Sequence, residues 1–140
     1  MDTKALIEAL NGDLANEYAA VIQYNTYAAA VKGPHREDLR RFFQAEVPDE
    51  LLHAQFLADK IVRLGGIPTT QVSRVTPATT AEEMLRAVRD AEDRAVTSYT
   101  ERLAQADAVG DIPLRIQLEN FIADESNHRD EVDLMLAGWK

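Results

Sequence analysis

The sequence predicts an all-α fold, a four-helix bundle built from two antiparallel hairpins joined by a long crossover. Three observations carry this. Apolar residues recur at alternating spacings of three and four along nearly the whole chain, which is the period of an amphipathic helix. Gly and Pro are confined mostly to three places, so few breaks interrupt that period. Finally, an offset of 75 residues relates the two halves, as in an internal repeat.

The first helix is expected from Thr3 to Lys32, where Gly33-Pro34 ends it. The second runs from His35 to Leu64 and stops at Gly65-Gly66, before Pro68. Thr80, followed three residues later by Glu83, reads as a capping box opening the third helix, which continues to Val109. The fourth starts at Asp111, takes Pro113 into its first turn and ends near Ala137. Short connections within each pair imply antiparallel hairpins. Between the pairs lies GGIPTTQVSRVTPATT, long for a loop inside one domain and able to cross the length of a bundle.

Composition bounds the function. The 140 residues fit a single domain, 1–140, with a core of its own. Acidic residues outnumber basic ones 24 to 15, for a net charge of -9 with no basic block, so nucleic acid is not an expected partner. There is no cysteine, which excludes disulfides, thiolate zinc sites and thiol catalysis. The sequence shows no secretory signal pattern and no run of about 20 apolar residues. A soluble, cytoplasmic protein with no membrane partner is expected.

The buried stripes are interrupted by charge. They read Leu14, Glu17, Val21, Tyr24 on the first helix and Phe43, Glu46, Glu50, His53, Leu57 on the second. The third gives Val88, Glu92, Val96, Tyr99, and the fourth Phe121, Glu125, His128, Val132. The repeat pairs Glu17 with Glu92, Tyr24 with Tyr99, Glu50 with Glu125 and His53 with His128, all identical. Helices of similar length would bring these interruptions to one level, where four carboxylates and two imidazoles meet. Unpaired buried carboxylates cost several kcal/mol each, and two divalent cations would balance four of them. In ELLH and ESNH the Glu and His stand three residues apart, an advance of about 4.5 Å that lets both face one seam. One such motif is weak support for a metal site; two, at the repeat offset, use two of the three histidines. A metal-free buried polar network is the competing reading.

These residues resemble the ferritin superfamily, and bacterioferritins most closely. The likeness runs through NEYAAVIQY, DELLHAQFLADKIVRLGGIP, AEEMLRA and ADESNH, so the expected bundle is ferritin-like. Carried over by motif, Glu50 and Glu125 bridge two metals, Glu17 and His53 complete one site, and Glu92 and His128 the other. The resemblance implies two iron ions per chain, with manganese a second option, and a ferroxidase that oxidises Fe(II) with O2 or H2O2 for iron storage or detoxification. The alternative is a non-storage diiron or dimanganese oxidase or peroxidase of rubrerythrin type, and a third reading is a passive helical bundle. The family also implies a homo-oligomer, here built from dimers through Tyr18, Ile22 and Ala29.

Three departures from bacterioferritins stand out. Leu51 replaces the haem-ligating methionine that follows the bridging Glu, so no haem is expected. The sequence given stops about three turns past His128, without their short C-terminal helix. Leu57 and Glu131 occupy the positions of an aromatic pair that donates electrons.

Other residues keep open roles. Glu46 is either a seventh metal-facing carboxylate and relay for iron, or is turned outward by Pro48. Asp49 either lines an iron path or is a solvated surface acid. Tyr24 and Tyr99 are core residues with satisfied hydroxyls, or partners of the Glu ligands, or electron donors. His35 is expected at the surface and Trp139 as an anchor for the chain end. A chain of this length is expected to leave little room for an organic-substrate pocket.

Overall fold

A computed structural model describes residues 2–139. It contains α1 (Thr3–Ala30), α2 (Arg36–Arg63), α3 (Ala81–Val109) and α4 (Ile112–Ala137), and no strand among the described residues. The observed ends fall within about two residues of those expected from the breaks.

Side chains fix most helix starts. The Asp2 carboxylate accepts from the Ala5 N–H at 2.7 Å and opens α1. Thr80 Oγ1 accepts from the Glu83 N–H at 3.1 Å, and its hydroxyl lies 3.0 Å from Glu83 Oε1. The Asp111 carboxylate accepts from the Leu114 N–H at 3.0 Å, so Asp111 is a cap and α4 itself begins one residue later. Gly110, in the left-handed region at φ +74°, closes α3 where a side chain would be strained.

Helices α1 and α2 form one close pair and α3 and α4 the other, while α1 and α3 touch more sparsely. Apolar side chains fill the bundle as two clusters. Leu6, Leu10, Leu14, Leu57, Ile61, Leu114 and Leu118 occupy one end; Tyr27, Val31, Leu39, Phe43, Leu85, Val88 and Val132 occupy the other. Between them lies a buried charged layer.

The crossover is strapped along α1. Asn11 exchanges bonds with it, Nδ2 to the Ile67 carbonyl and Oδ1 from the Thr69 N–H. Further on, the Ser73 N–H donates to the Ala15 carbonyl at 3.1 Å and the Ser73 hydroxyl to Asn16 at 2.7 Å. The Tyr27 hydroxyl donates to the Thr76 carbonyl. The strap therefore covers α1 from Asn11 to Tyr27, about 24 Å of helix.

Pro48 lies inside α2 without ending it. Of the two readings of Glu46, the outward one fails: Glu46 is 8% exposed and faces the bundle interior. Losing one N–H donor leaves the other helical bonds of that turn able to hold the period.

Candidate metal centre

The structure brings together Glu17, Glu50, His53, Glu92, Glu125 and His128 in the layer between the apolar clusters. Their ligand-type atoms form two overlapping sets, each within 4.8 Å: Glu17, Glu50, His53 and Glu125, and Glu50, Glu92, Glu125 and His128. Glu50 and Glu125 belong to both. Each helix supplies its member from the middle of its stripe, because the hairpins pack antiparallel at one level.

Both imidazoles are aimed in the same sense. His53 Nδ1 lies 3.1 Å from Glu125, 3.5 Å from Glu17 and 3.9 Å from Glu50. His128 Nδ1 lies 3.5 Å from Glu50 and 3.8 Å from Glu92. The opposite nitrogens face outer carboxylates, His53 Nε2 to Asp124 at 3.1 Å and His128 Nε2 to Glu46 at 2.7 Å. Such outer carboxylates orient an imidazole and raise its basicity toward a metal.

Tyr24 and Tyr99 cross the bundle to the opposite repeat. Tyr24 donates to Glu92 at 2.5 Å, and Tyr99 donates to Glu17. Both are also core residues, 1% and 2% exposed, so the two structural readings of them hold together. Tyr24→Phe and Tyr99→Phe are each expected to weaken divalent-metal affinity by about 10-fold to 100-fold, as measured by isothermal titration. Unchanged affinity would reduce the hydroxyls to packing.

Polar atoms in this layer lack hydrogen-bond partners. They include Glu17 Oε2, both Glu50 oxygens, Glu92 Oε2, Glu125 Oε1 and the Nδ1 atoms of His53 and His128. Among the described residues no Lys or Arg pairs with any of the four carboxylates. Protonation therefore adjusts. Burial, with Glu17 close by, pushes Glu50 well above the usual carboxyl range. Burial also raises Glu92, against hydrogen bonds from His128 and Tyr24. At Glu17 burial acts upward too, but hydrogen bonds from His53, Glu50 and Tyr99 outweigh it and the net shift is downward. Burial would lower His128, yet Glu46 and Glu92 lift it to about 10. The donor set suits hard or borderline divalent ions such as iron or manganese, and orphaned acceptors converging on a shared point are what such ions would satisfy.

Sequence reasoning missed Asp124 and a buried ion pair, and left Asp49 open. Asp124 was not singled out, although it stands 75 residues after Asp49. Asp49 is exposed and groups with Glu46 and His128. A buried pair, Asp13 with Arg102 at 2.7 Å, lies one turn from the Tyr99 to Glu17 contact. Burial, against the pull of Arg102, lifts Asp13 from 3.8 to about 6. A raised carboxyl stabilises the fold fully below its unfolded value, and that contribution is lost as pH rises through about 6. The melting-temperature difference between the parent and Asp13→Asn, both metal-free, is thus expected to change between pH 4 and 7 and to level off above. A flat difference would mean the carboxyl does not titrate there.

The expectation of little room beside the layer is also corrected. A cavity of about 360 Å³ lies between α1 and α3 under the crossover and reaches Glu17, Glu50 and Glu92. Periodicity counts apolar positions but not their volumes, and small side chains leave this space. On the α2 and α4 face a second opening is lined by Asp49, His53, Asp124 and His128. Among the expected surface residues, His35 is exposed and packs against Trp139 with the rings tilted and centroids 4.8 Å apart. Trp139 also packs against the second apolar cluster, which ties down the end of α4. No helix among the described residues is long and apolar enough to cross a membrane.

Fold and site together define a class: four-helix bundles with a carboxylate-rich, histidine-containing cluster fit to hold metal. A family model for the ferritin-like domain matches residues 7–140. Bacterioferritin of Streptomyces coelicolor is 31% identical over 132 residues, covering 94% of this chain and 79% of its own. A crystal structure described as a ferritin-like, diiron-carboxylate protein of Bacillus anthracis superposes with TM-score 0.95 at 46% identity, covering 97% of this chain and 99% of that one. A dodecameric thioferritin, the bacterioferritin-related protein of Bacteroides fragilis, superposes with TM-score 0.89 at 26% identity, over 98% and 87% of the two chains. The chain belongs to the ferritin-like family.

Proposed function

We propose that this chain is a ferroxidase. Glu17, Glu50, His53, Glu92, Glu125 and His128 bind two Fe(II) ions as substrate, and the ions are oxidised by O2 or H2O2 in the service of iron storage or detoxification. The observation that carries this is the pair of overlapping ligand sets with their unpartnered buried oxygens and nitrogens.

Each protein group has a definable task. Glu50 and Glu125, common to both sets, are placed to bridge. Glu17 and Glu92 are held from behind by Tyr99 and Tyr24, and His53 and His128 by Asp124 and Glu46. Four carboxylates neutralise two divalent ions, so loading cancels the charge that the empty layer adjusts by protonation. The ions supply two electrons, one each; O2 takes both with two protons to give H2O2, or H2O2 takes both with two protons to give two waters. Exposed Asp49 and Asp124 at the α2 and α4 opening offer cations a favourable approach. Exposed Ile22 and Ala29 on α1 supply part of a surface for a homodimer, from which a larger assembly is built. Leu51, 42% exposed, supplies no haem ligand.

A non-storage oxidase or peroxidase is the second reading, favoured by the cavity that reaches the carboxylate layer. Aerobic addition of excess Fe(II), gel filtration and a count of iron per chain separate the two. Hundreds of ions on a large assembly would establish storage; about two would indicate a diiron cofactor. No retained iron, repeated with Mn(II), would end the metal reading.

A further inference from the structure

The cavity between α1 and α3 has a composition that iron oxidation alone does not require. Its volume of about 360 Å³ lies in the range of small-molecule pockets, roughly 300 to 1,000 Å³. At about 30 Å³ per water it exceeds by far what O2 or H2O2 needs. Its walls include Ala19, Ala20, Ala91 and Ala95, and these short side chains leave the space between α1 and α3 unfilled over the carboxylate layer. The floor is Glu17, Glu50 and Glu92.

The mouth carries Arg74, from the crossover, and Arg94, from α3. Both are exposed, and neither makes an ion pair or a side-chain hydrogen bond among the described residues. Acids line the cavity too, Asp13, Glu17, Glu50, Glu92, Asp93 and Glu125, yet neither arginine is paired with any of them. Asp93 beside them is already engaged, with Arg129 at 3.2 Å and Arg89 at 3.7 Å. Guanidinium groups at a mouth disfavour Fe(II) and favour carboxylates, which they bind through paired N–H donors. The opposite opening carries Asp49 and Asp124 and has no Lys or Arg in its lining, so only the α1 and α3 cavity offers guanidinium groups.

We infer that the α1 and α3 cavity binds a small organic carboxylate. Its acid group meets Arg74 and Arg94 at the mouth, its short apolar body lies along the alanine walls, and its far end reaches the metal layer. The two faces of the bundle thus divide the traffic, cations through one and an organic anion through the other. This rests on the ferroxidase-type metal layer only for what lies at the cavity floor.

The test uses protein loaded with redox-inert Zn(II), with uptake first measured by isothermal titration. Hexanoate, hexanamide and inorganic phosphate are then titrated separately. Hexanoate is expected to bind once per chain, at least tenfold more tightly than hexanamide or phosphate. Arg74→Ala with Arg94→Ala is expected to weaken hexanoate at least tenfold with Zn(II) uptake unchanged, and Ala20→Leu, which fills the wall, to do the same. Hexanoate binding that is absent, or equal in these variants, would overturn the inference. Phosphate binding as tightly as hexanoate would overturn the organic ligand. Failure of Zn(II) uptake would count against the metal layer instead, and the same titration on metal-free protein would still decide the cavity.

Discussion

Fe(II) oxidation by the Glu50→Gln variant is expected to fall at least about 100-fold, since removing even an outer-shell partner of a metal ligand costs about 10-fold to 100-fold. Glu50 belongs to both ligand sets, so its loss should disable both ions rather than one. His128→Ala removes a member of only one set and should leave a single ion bound with little oxidation. Metal stoichiometry by titration and initial rates by absorbance distinguish these outcomes. Oxidation unchanged in both variants would remove the dinuclear reading. Glu50→Gln is the better probe of fold, because burial already holds the Glu50 carboxyl toward its neutral form in the metal-free protein and the amide preserves its shape.

The second large effect is on stability. Metal at about 1,000 times its dissociation constant adds about 4 kcal/mol per site. For a domain of this size each kcal/mol moves the melting temperature by about 3 °C, so two sites should raise it by on the order of 20 °C. Thermal unfolding followed by circular dichroism, with and without Mn(II), measures this. Glu50→Gln should melt within a few degrees of the metal-free parent and gain little from Mn(II). An equal gain in parent and variant would place the bound metal elsewhere.

Much of this arrangement is written in residue spacing. Glu-x-x-His on two helices and a lone Glu on the other two could be read directly, because helical geometry converts spacing into facing. The crossover was legible from its length and its Thr and Pro. Glu46 stood between two readings, and the inward one holds because a proline within a helix removes one backbone bond without breaking the stripe. Asp13 and Arg102 escaped notice since their repeat mates are Val88 and Tyr27, and a search for identities passes over a pair present in only one half. Asp124 is exposed and off the buried stripe of α4, so its place beside His53 shows only once that ring is oriented. The cavity depends on missing volume at alanines, which no periodicity records.

The repeat itself has a consequence for descent. Six ligand positions are specified by three, used twice: a Glu on one helix and a Glu-x-x-His on the next. A chain of half this length, pairing with a copy of itself, would carry the same layer with the two metal positions identical by symmetry. In one chain joined by the crossover, the two halves are free to differ. Glu46 stands where its repeat mate is Phe121, so His128 faces Glu46, while His53 has the Phe121 ring 4.1 Å from its own and turns to Asp124 instead. The two ligand sets thus have different surroundings, a distinction that no symmetric dimer of hairpins can encode.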